Sequence, residues 1–219
     1  MSSPNTNEIS DGSWISWFLG IMGNEFLCRV PTDFIADKFN LTGLEYCSQT
    51  LDVVLDPEFD SEDCDCDDEE KLYGMIHARY IVSPRGLEAM RLKYERKDFG
   101  LCPRVFCKGQ KCLPVGLTDV WNQNQVKLYC PSCYDVFEPR SISGMLDGAM
   151  FGTSFPHMFF MQMPSLRPHP PVEKYVPRLY GFKLHPKALL PPESDESPPN
   201  YIESTVNKSQ VNSSKIFKE

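Results

Sequence analysis

The chain has no apolar run long enough to cross a bilayer. Its most hydrophobic stretch, Trp14-Ile-Ser-Trp-Phe-Leu-Gly-Ile-Met22, falls short of the roughly 20 residues a membrane helix needs. No basic leader or small-residue cleavage site accompanies it, so the expectation is a protein of cytoplasm and nucleus, without a membrane partner. The Asn-x-Ser/Thr triplets at Asn40, Asn207 and Asn212 then count as chance matches. Catalytic signatures are missing as well: there is no Gly-x-Ser-x-Gly, no His-Glu-x-x-His and no phosphate loop. Asp98-Phe99-Gly100 copies the magnesium triplet of kinases, but no glycine loop or Val-Ala-Ile-Lys strand goes with it, and His77-Ala78-Arg79 replaces His-Arg-Asp. The chain therefore reads as a non-enzyme. A basic stripe is lacking too. With a formal net charge of −8 and only Arg104, Lys108, Lys111 and Lys127 scattered near its cysteines, it is a poor nucleic-acid binder.

What the chain does have is cysteine, nine in all. Cys102-Pro-Arg-Val-Phe-Cys107 and Cys130-Pro-Ser-Cys133 form two close pairs separated by 22 residues. Short turns of this kind aim two sulfurs at one point, and two of them complete a tetrahedral Zn²⁺ site with metal–sulfur bonds of about 2.3 Å. Four thiolates close the coordination sphere, so the ion holds the fold and does no chemistry. The residues between the pairs suit a zinc ribbon. Leu113, Val115 and Leu117 alternate, Asn122, Gln123 and Asn124 are turn residues, Val126 to Tyr129 alternate into the second pair, and Tyr134 to Phe137 continue in strand-forming residues. The competing readings are a disulfide framework, which requires an oxidising compartment, and a redox Cys-x-x-Cys, for which the first pair is surplus. Cys28, Cys47, Cys64, Cys66 and Cys112 have no framework spacing.

The predicted fold class is α+β: an all-helical N-terminal domain, a four-cysteine zinc-ribbon β domain and an extended C-terminal docking segment. Residues 1–12 are polar and read as flexible. A helical domain over 13–98 includes a start at Pro31-Thr32-Asp33 into Phe34, Ile35 and Phe39. Thr42-Gly-Leu-Glu45 has capping-box spacing, with Leu44, Leu51, Val54 and Leu55 on one face after it. A helix from about Glu69 to Val82 carries Leu72, Tyr73, Ile76 and Tyr80. Ser83 as N-cap and Pro84 at the first helical position open another through Leu87, Met90 and Tyr94. Between them, residues 56–70 carry ten acids and no base, and setting these aside leaves the rest of the chain at +2. Such a run stays solvated by self-repulsion or acts as a sink for polyamines and basic protein segments.

The ribbon domain spans 99–163. Its aromatic and methionine string Phe155 to Met163 reads chiefly as core, and His157 and His169 have no second ligand at metal spacing. Over 164–190 the sequence changes character. Tyr180, Phe182 and Leu184 alternate on one face of an extended segment between Pro177 and Pro186, with Arg178, Lys183 and His185 around them. Two aromatics on a short strand in a basic setting fit a hot spot for a partner's groove or sheet edge, and fit equally a closing strand of the ribbon. Residues 191–219 read as a disordered tail.

Several strings, in order, resemble the regulatory beta subunit of casein kinase II. They are Ser13-Trp-Ile-Ser-Trp-Phe18, Gly23-Asn-Glu-Phe26, Asp37-Lys-Phe-Asn-Leu-Thr-Gly-Leu44, Leu72-Tyr-Gly-Met-Ile-His-Ala-Arg-Tyr-Ile81, Asp98-Phe-Gly-Leu-Cys-Pro-Arg-Val-Phe-Cys107, Val126-Lys-Leu-Tyr-Cys-Pro-Ser-Cys133, Phe151-Gly-Thr-Ser-Phe-Pro-His-Met158 and Val176-Pro-Arg-Leu-Tyr-Gly-Phe-Lys-Leu-His185. The resemblance implies zinc on Cys102, Cys107, Cys130 and Cys133, and a homodimer through ribbon residues such as Pro103, Val105 and Val136. It also implies a heterotetramer with two catalytic alpha subunits docked on Arg178, Leu179, Tyr180, Gly181, Phe182, Lys183 and His185. Polyamines or basic substrates would meet Asp56, Glu58, Asp60, Glu62 and Asp63. The chain departs from the family at several points. Pro4 and Asn5 stand where acids usually follow the N-terminal serines, which argues against phosphorylation at Ser2 or Ser3. The acidic loop is short, Ser48 occupies an arginine position, and Ser141 to Met145 replace a His-rich turn. The pattern is that of a diverged paralogue. The rival reading, a zinc-ribbon nucleic-acid-binding or transcription-associated module, requires the basic stripe that the sequence lacks.

Overall fold

The computed structural model describes residues 12–59, 67–173 and 175–190. Two compact units divide it, Met1–Tyr175 and Val176–Glu219.

The first unit begins with helix α1, Trp14–Gly20, where the Ser13 hydroxyl accepts from the Ser16 N–H at 3.3 Å. Trp14 stacks on Phe18 with ring centroids 4.8 Å apart, and both are buried with Ile15. Three short helices follow: α2 (Thr32–Ala36), α3 (Lys38–Leu41) and α4 (Ser48–Val54). Helix α5, Asp67–Tyr80, has Asp67, Asp68, Glu69 and Glu70 in its first turn, where the helix dipole favours negative charge. Its buried face is Leu72, Tyr73, Ile76, His77 and Tyr80. Helix α6, Pro84–Arg96, opens as the sequence predicts, with the Ser83 hydroxyl accepting from the Gly86 N–H at 3.2 Å and Pro84 in the first turn. Leu87, Met90 and Tyr94 supply its buried stripe.

Next comes a three-stranded antiparallel sheet of order β1-β2-β3: Leu113–Val115, Lys127–Cys130 and Asp135–Phe137. Leu113 pairs with Tyr129 and Leu128 with Phe137. Helix α7, Phe155–Gln162, packs on β1 and brings Phe159 and Phe160 to Tyr94 of α6, at 5.4 and 6.0 Å between ring centroids. One hydrophobic core therefore runs from Trp14 to Phe160, across the position 98/99 where the sequence suggests a domain boundary. Among the described residues no helix is long and apolar enough to cross a membrane.

The second unit contains a hairpin, β4 (Arg178–Leu179) and β5 (Phe182–Lys183), in antiparallel register. Tyr180 and Gly181 form its two-residue turn with φ of 48° and 88°. Two positive φ angles are the mark of a type I′ turn, whose twist matches that of paired strands.

Four sequence expectations need correction. Phe39 is 81% exposed and off the core, because the backbone breaks at Asp37 and restarts as α3. The Thr42–Glu45 box caps nothing: Thr42 ends α3, and α4 starts six residues later behind Cys47. Leu117 lies outside β1 and is exposed, while β1 is buried throughout instead of alternating. Tyr180 and Phe182 do not share one extended face, since the chain reverses between β4 and β5. The N-terminal residues 1–11, acidic residues 60–66 with Cys64 and Cys66, and the tail 191–219 lie outside the described residues.

Candidate metal centre

The first knuckle is a tight loop closed by its own backbone. The Cys102 N–H donates to the Gln110 carbonyl at 2.7 Å, and the Gln110 N–H to the Cys107 carbonyl at 3.0 Å. Lys108 and Gly109, with φ of 50° and 72°, reverse the chain between them. The second knuckle begins where β2 ends at Cys130, and the Tyr134 N–H donates to the Cys130 carbonyl at 2.9 Å. Tyr134 at φ 57° then releases the chain into β3. An ion pair between Arg104 and Asp135 links the knuckles. Both side chains are about half exposed, so the pair contributes little.

Together the knuckles bring the Sγ atoms of Cys102, Cys107, Cys130 and Cys133 within 4.8 Å of one another. Cys102 to Cys133 is 3.9 Å and Cys107 to Cys130 is 4.0 Å. A tetrahedron with bonds of about 2.3 Å has edges of about 3.8 Å, so the sulfurs already stand close to the positions one ion imposes. Burial pushes the Cys102 thiol well above its ordinary range and the Cys133 thiol up to about 11. Cys130 moves the other way, downward, chiefly through the neighbouring Cys112 thiol. A divalent cation would deprotonate its ligands outright, and with sulfur donors alone the set fits a soft, closed, structural site.

Cys112 is the residue that sequence reasoning passed over. It is 1% exposed and lies beside the four-sulfur set. The hairpin register carries the missing signal: Leu113 faces Tyr129, so one step outward Cys112 faces Cys130.

The other predicted site residues fall on separate surfaces. Val105 is 85% and Val136 40% exposed on the ribbon, with Pro103, Leu101 and Tyr134 also exposed. In the hairpin unit Tyr180 and Phe182 are exposed at 92% and 79%. Arg178 donates to the Gly181 carbonyl at 3.1 Å, Lys183 pairs with Arg178, and His185 Nδ1 accepts from the Lys187 N–H. Leu179 is exposed as well. Of the acidic residues, Asp56 turns the chain by accepting from the Glu58 N–H at 2.9 Å. Asp60, Glu62 and Asp63 lie outside the described residues. Asp67, Glu70 and Asp147, far apart in the chain, line one groove, where burial and the two neighbouring charges raise the Glu70 pKa.

Comparison with known proteins adds a second line of observation. The sequence profile described as casein kinase II regulatory subunit matches residues 13–183. A Suppressor-of-stellate-like protein of Drosophila melanogaster is 74% identical over 95% of both chains. Casein kinase II subunit beta of Schizosaccharomyces pombe is 51% identical over 78% of this chain and 79% of its own. Casein kinase II subunit beta-3 of Arabidopsis thaliana is 46% identical over 84% of this chain and 71% of its own.

Proposed function

Because the chain belongs to the casein kinase II regulatory subunit family, we propose that it is a non-catalytic subunit that docks kinase catalytic subunits through its C-terminal hairpin. Cys102, Cys107, Cys130 and Cys133 hold a structural Zn²⁺, and the ribbon it fixes pairs two copies through Pro103, Val105 and Val136. Each copy then carries one catalytic alpha subunit. The mechanism is positional: two kinases are held on one scaffold, and the acids from Asp56 onward set negative charge where basic substrates or polyamines approach.

The observation that carries this reading is the hairpin itself. Tyr180, in the two-residue turn, and Phe182, which opens β5 just after it, are both strongly exposed on the paired hairpin. Rigid, exposed aromatics are what interface hot spots are made from, because burying them recovers large apolar area at little entropic cost. A nucleic-acid role is not favoured, since the ribbon surface presents apolar Val105 and Val136 and no basic stripe. Titration of the catalytic subunit by calorimetry tests the assignment. Tyr180→Ala combined with Phe182→Ala is expected to weaken binding by roughly 3 kcal/mol or more, and unchanged affinity rejects the docking site.

A further inference from the structure

Cys112 and Cys130 form a pair of which the metal site uses only Cys130. β1 and β2 hold them opposite each other by register. Residues opposed across antiparallel strands have Cα atoms about 4.5 to 5.5 Å apart, inside the range of about 4.4 to 6.8 Å that a disulfide spans. Cys112 is no ligand: the four-sulfur set closes without it. Although Cys112 is buried, it lines a groove of about 520 Å³ together with Leu101, Cys102, Leu128 and Phe137, and Cys130 does not.

We propose that Cys112 is the peroxide-facing thiol of this pair, so that a small hydroperoxide entering the groove converts Cys112 and Cys130 to a disulfide and dismantles the metal site. The Cys112 sulfur attacks one peroxide oxygen, the O–O bond breaks, and the thiol proton leaves with the departing oxygen as water, which gives a Cys112 sulfenic acid. The Cys130 thiolate then attacks the Cys112 sulfur. The S–O bond breaks, hydroxide leaves and takes up a proton as water, and an S–S bond remains. Two electrons pass from the two sulfurs to the peroxide. Cys102, Cys107 and Cys133 are left as three ligands, too few for a closed tetrahedral site, and thiol reductants reverse the change. The proposal rests on the zinc reading above.

The test uses the full-length chain, with its zinc quantified by elemental analysis before any treatment. Hydrogen peroxide is then added, zinc release is followed with a chromogenic chelator, and disulfides are mapped by non-reducing peptide mass spectrometry. A Cys112–Cys130 bond is expected as the main product, forming in step with zinc release, and dithiothreitol with added zinc should restore the starting protein. Cys112→Ala, matched for initial zinc content, is expected to release zinc at least fivefold more slowly. A zinc-loaded chain whose map shows only bonds among the four ligands, or a Cys112→Ala protein that releases zinc as fast, overturns this proposal alone. A chain purified without zinc overturns the metal reading and this proposal with it. The map is read on the unaltered protein, so the result stands even if the variant folds poorly.

Discussion

His77 shows how much a single side chain can settle. Its Nδ1 lies 2.7 Å from the Met150 carbonyl, so Nδ1 must carry the proton, and Nε2 accepts the Cys28 N–H at 3.1 Å. The neutral ring is satisfied at both nitrogens, whereas a second proton would face a donor. Complete burial agrees and moves the pKa down to about 4. Since the unfolded state takes a proton near pH 6.5 and the folded state does not, stability is full above that pH and falls as pH drops from about 6.5 to 4. The loss is on the order of 3 kcal/mol in total. Urea unfolding at stepwise pH should show it, and His77→Phe should flatten that slope while lowering stability at pH 7 by about 2 kcal/mol, because two backbone groups lose their partner. None of this was legible beforehand. The sequence exhibits His77 only as a failed match to a kinase motif, and its partners lie 49 and 73 residues away.

At the scale of elements, legibility followed how local the chemistry is. Ser83-Pro84 announces α6 correctly because a cap needs only the next few residues. Thr42 misleads because it closes one helix and opens none: its N–H bonds the Phe39 carbonyl at the end of α3, its hydroxyl donates back to the Lys38 carbonyl at 3.1 Å, and Arg79 donates to its carbonyl at 2.9 Å. The hairpin looks like a single strand in the sequence because its turn is Tyr180-Gly181 and not the Asn-Gly or Asp-Gly that usually signals one. Gly86 shows the reverse dependence, of an element on its neighbour. A Cβ there would sit 2.0 Å from the Tyr80 carbonyl oxygen at the end of α5. Gly86→Ala gains about 1 kcal/mol of helix propensity but forces α5 and α6 apart. The expected net loss is about 2 kcal/mol, read as a lower urea midpoint with an unchanged slope, whereas a rise in midpoint would show that the close approach is not tight.

For the whole molecule, the cysteine knuckles were plain in the sequence because a tetrahedral ion imposes fixed spacings, whereas Cys112 emerged only once the strands were in register. Metal removal should therefore be a global event. Cys130→Ser combined with Cys133→Ser is expected to abolish zinc in elemental analysis and to leave monomers or aggregates in sedimentation, and a zinc-free dimer of normal size would contradict the scaffold reading. Val136→Glu addresses self-pairing with the metal kept. Burying a charge in an apolar contact costs several kcal/mol, so sedimentation equilibrium should report a halved mass with zinc content unchanged, and a persistent dimer would place the interface elsewhere. The interlocked core also limits how the polypeptide may be divided. Cutting near residue 100 strips Phe159 and Phe160 from Tyr94 and leaves freshly bared aromatic surface on both pieces. Ending the chain at Tyr175 removes none of those rings. A shortened reagent meant to keep the four cysteines on an intact core while losing the hairpin is therefore best trimmed from the carboxyl end.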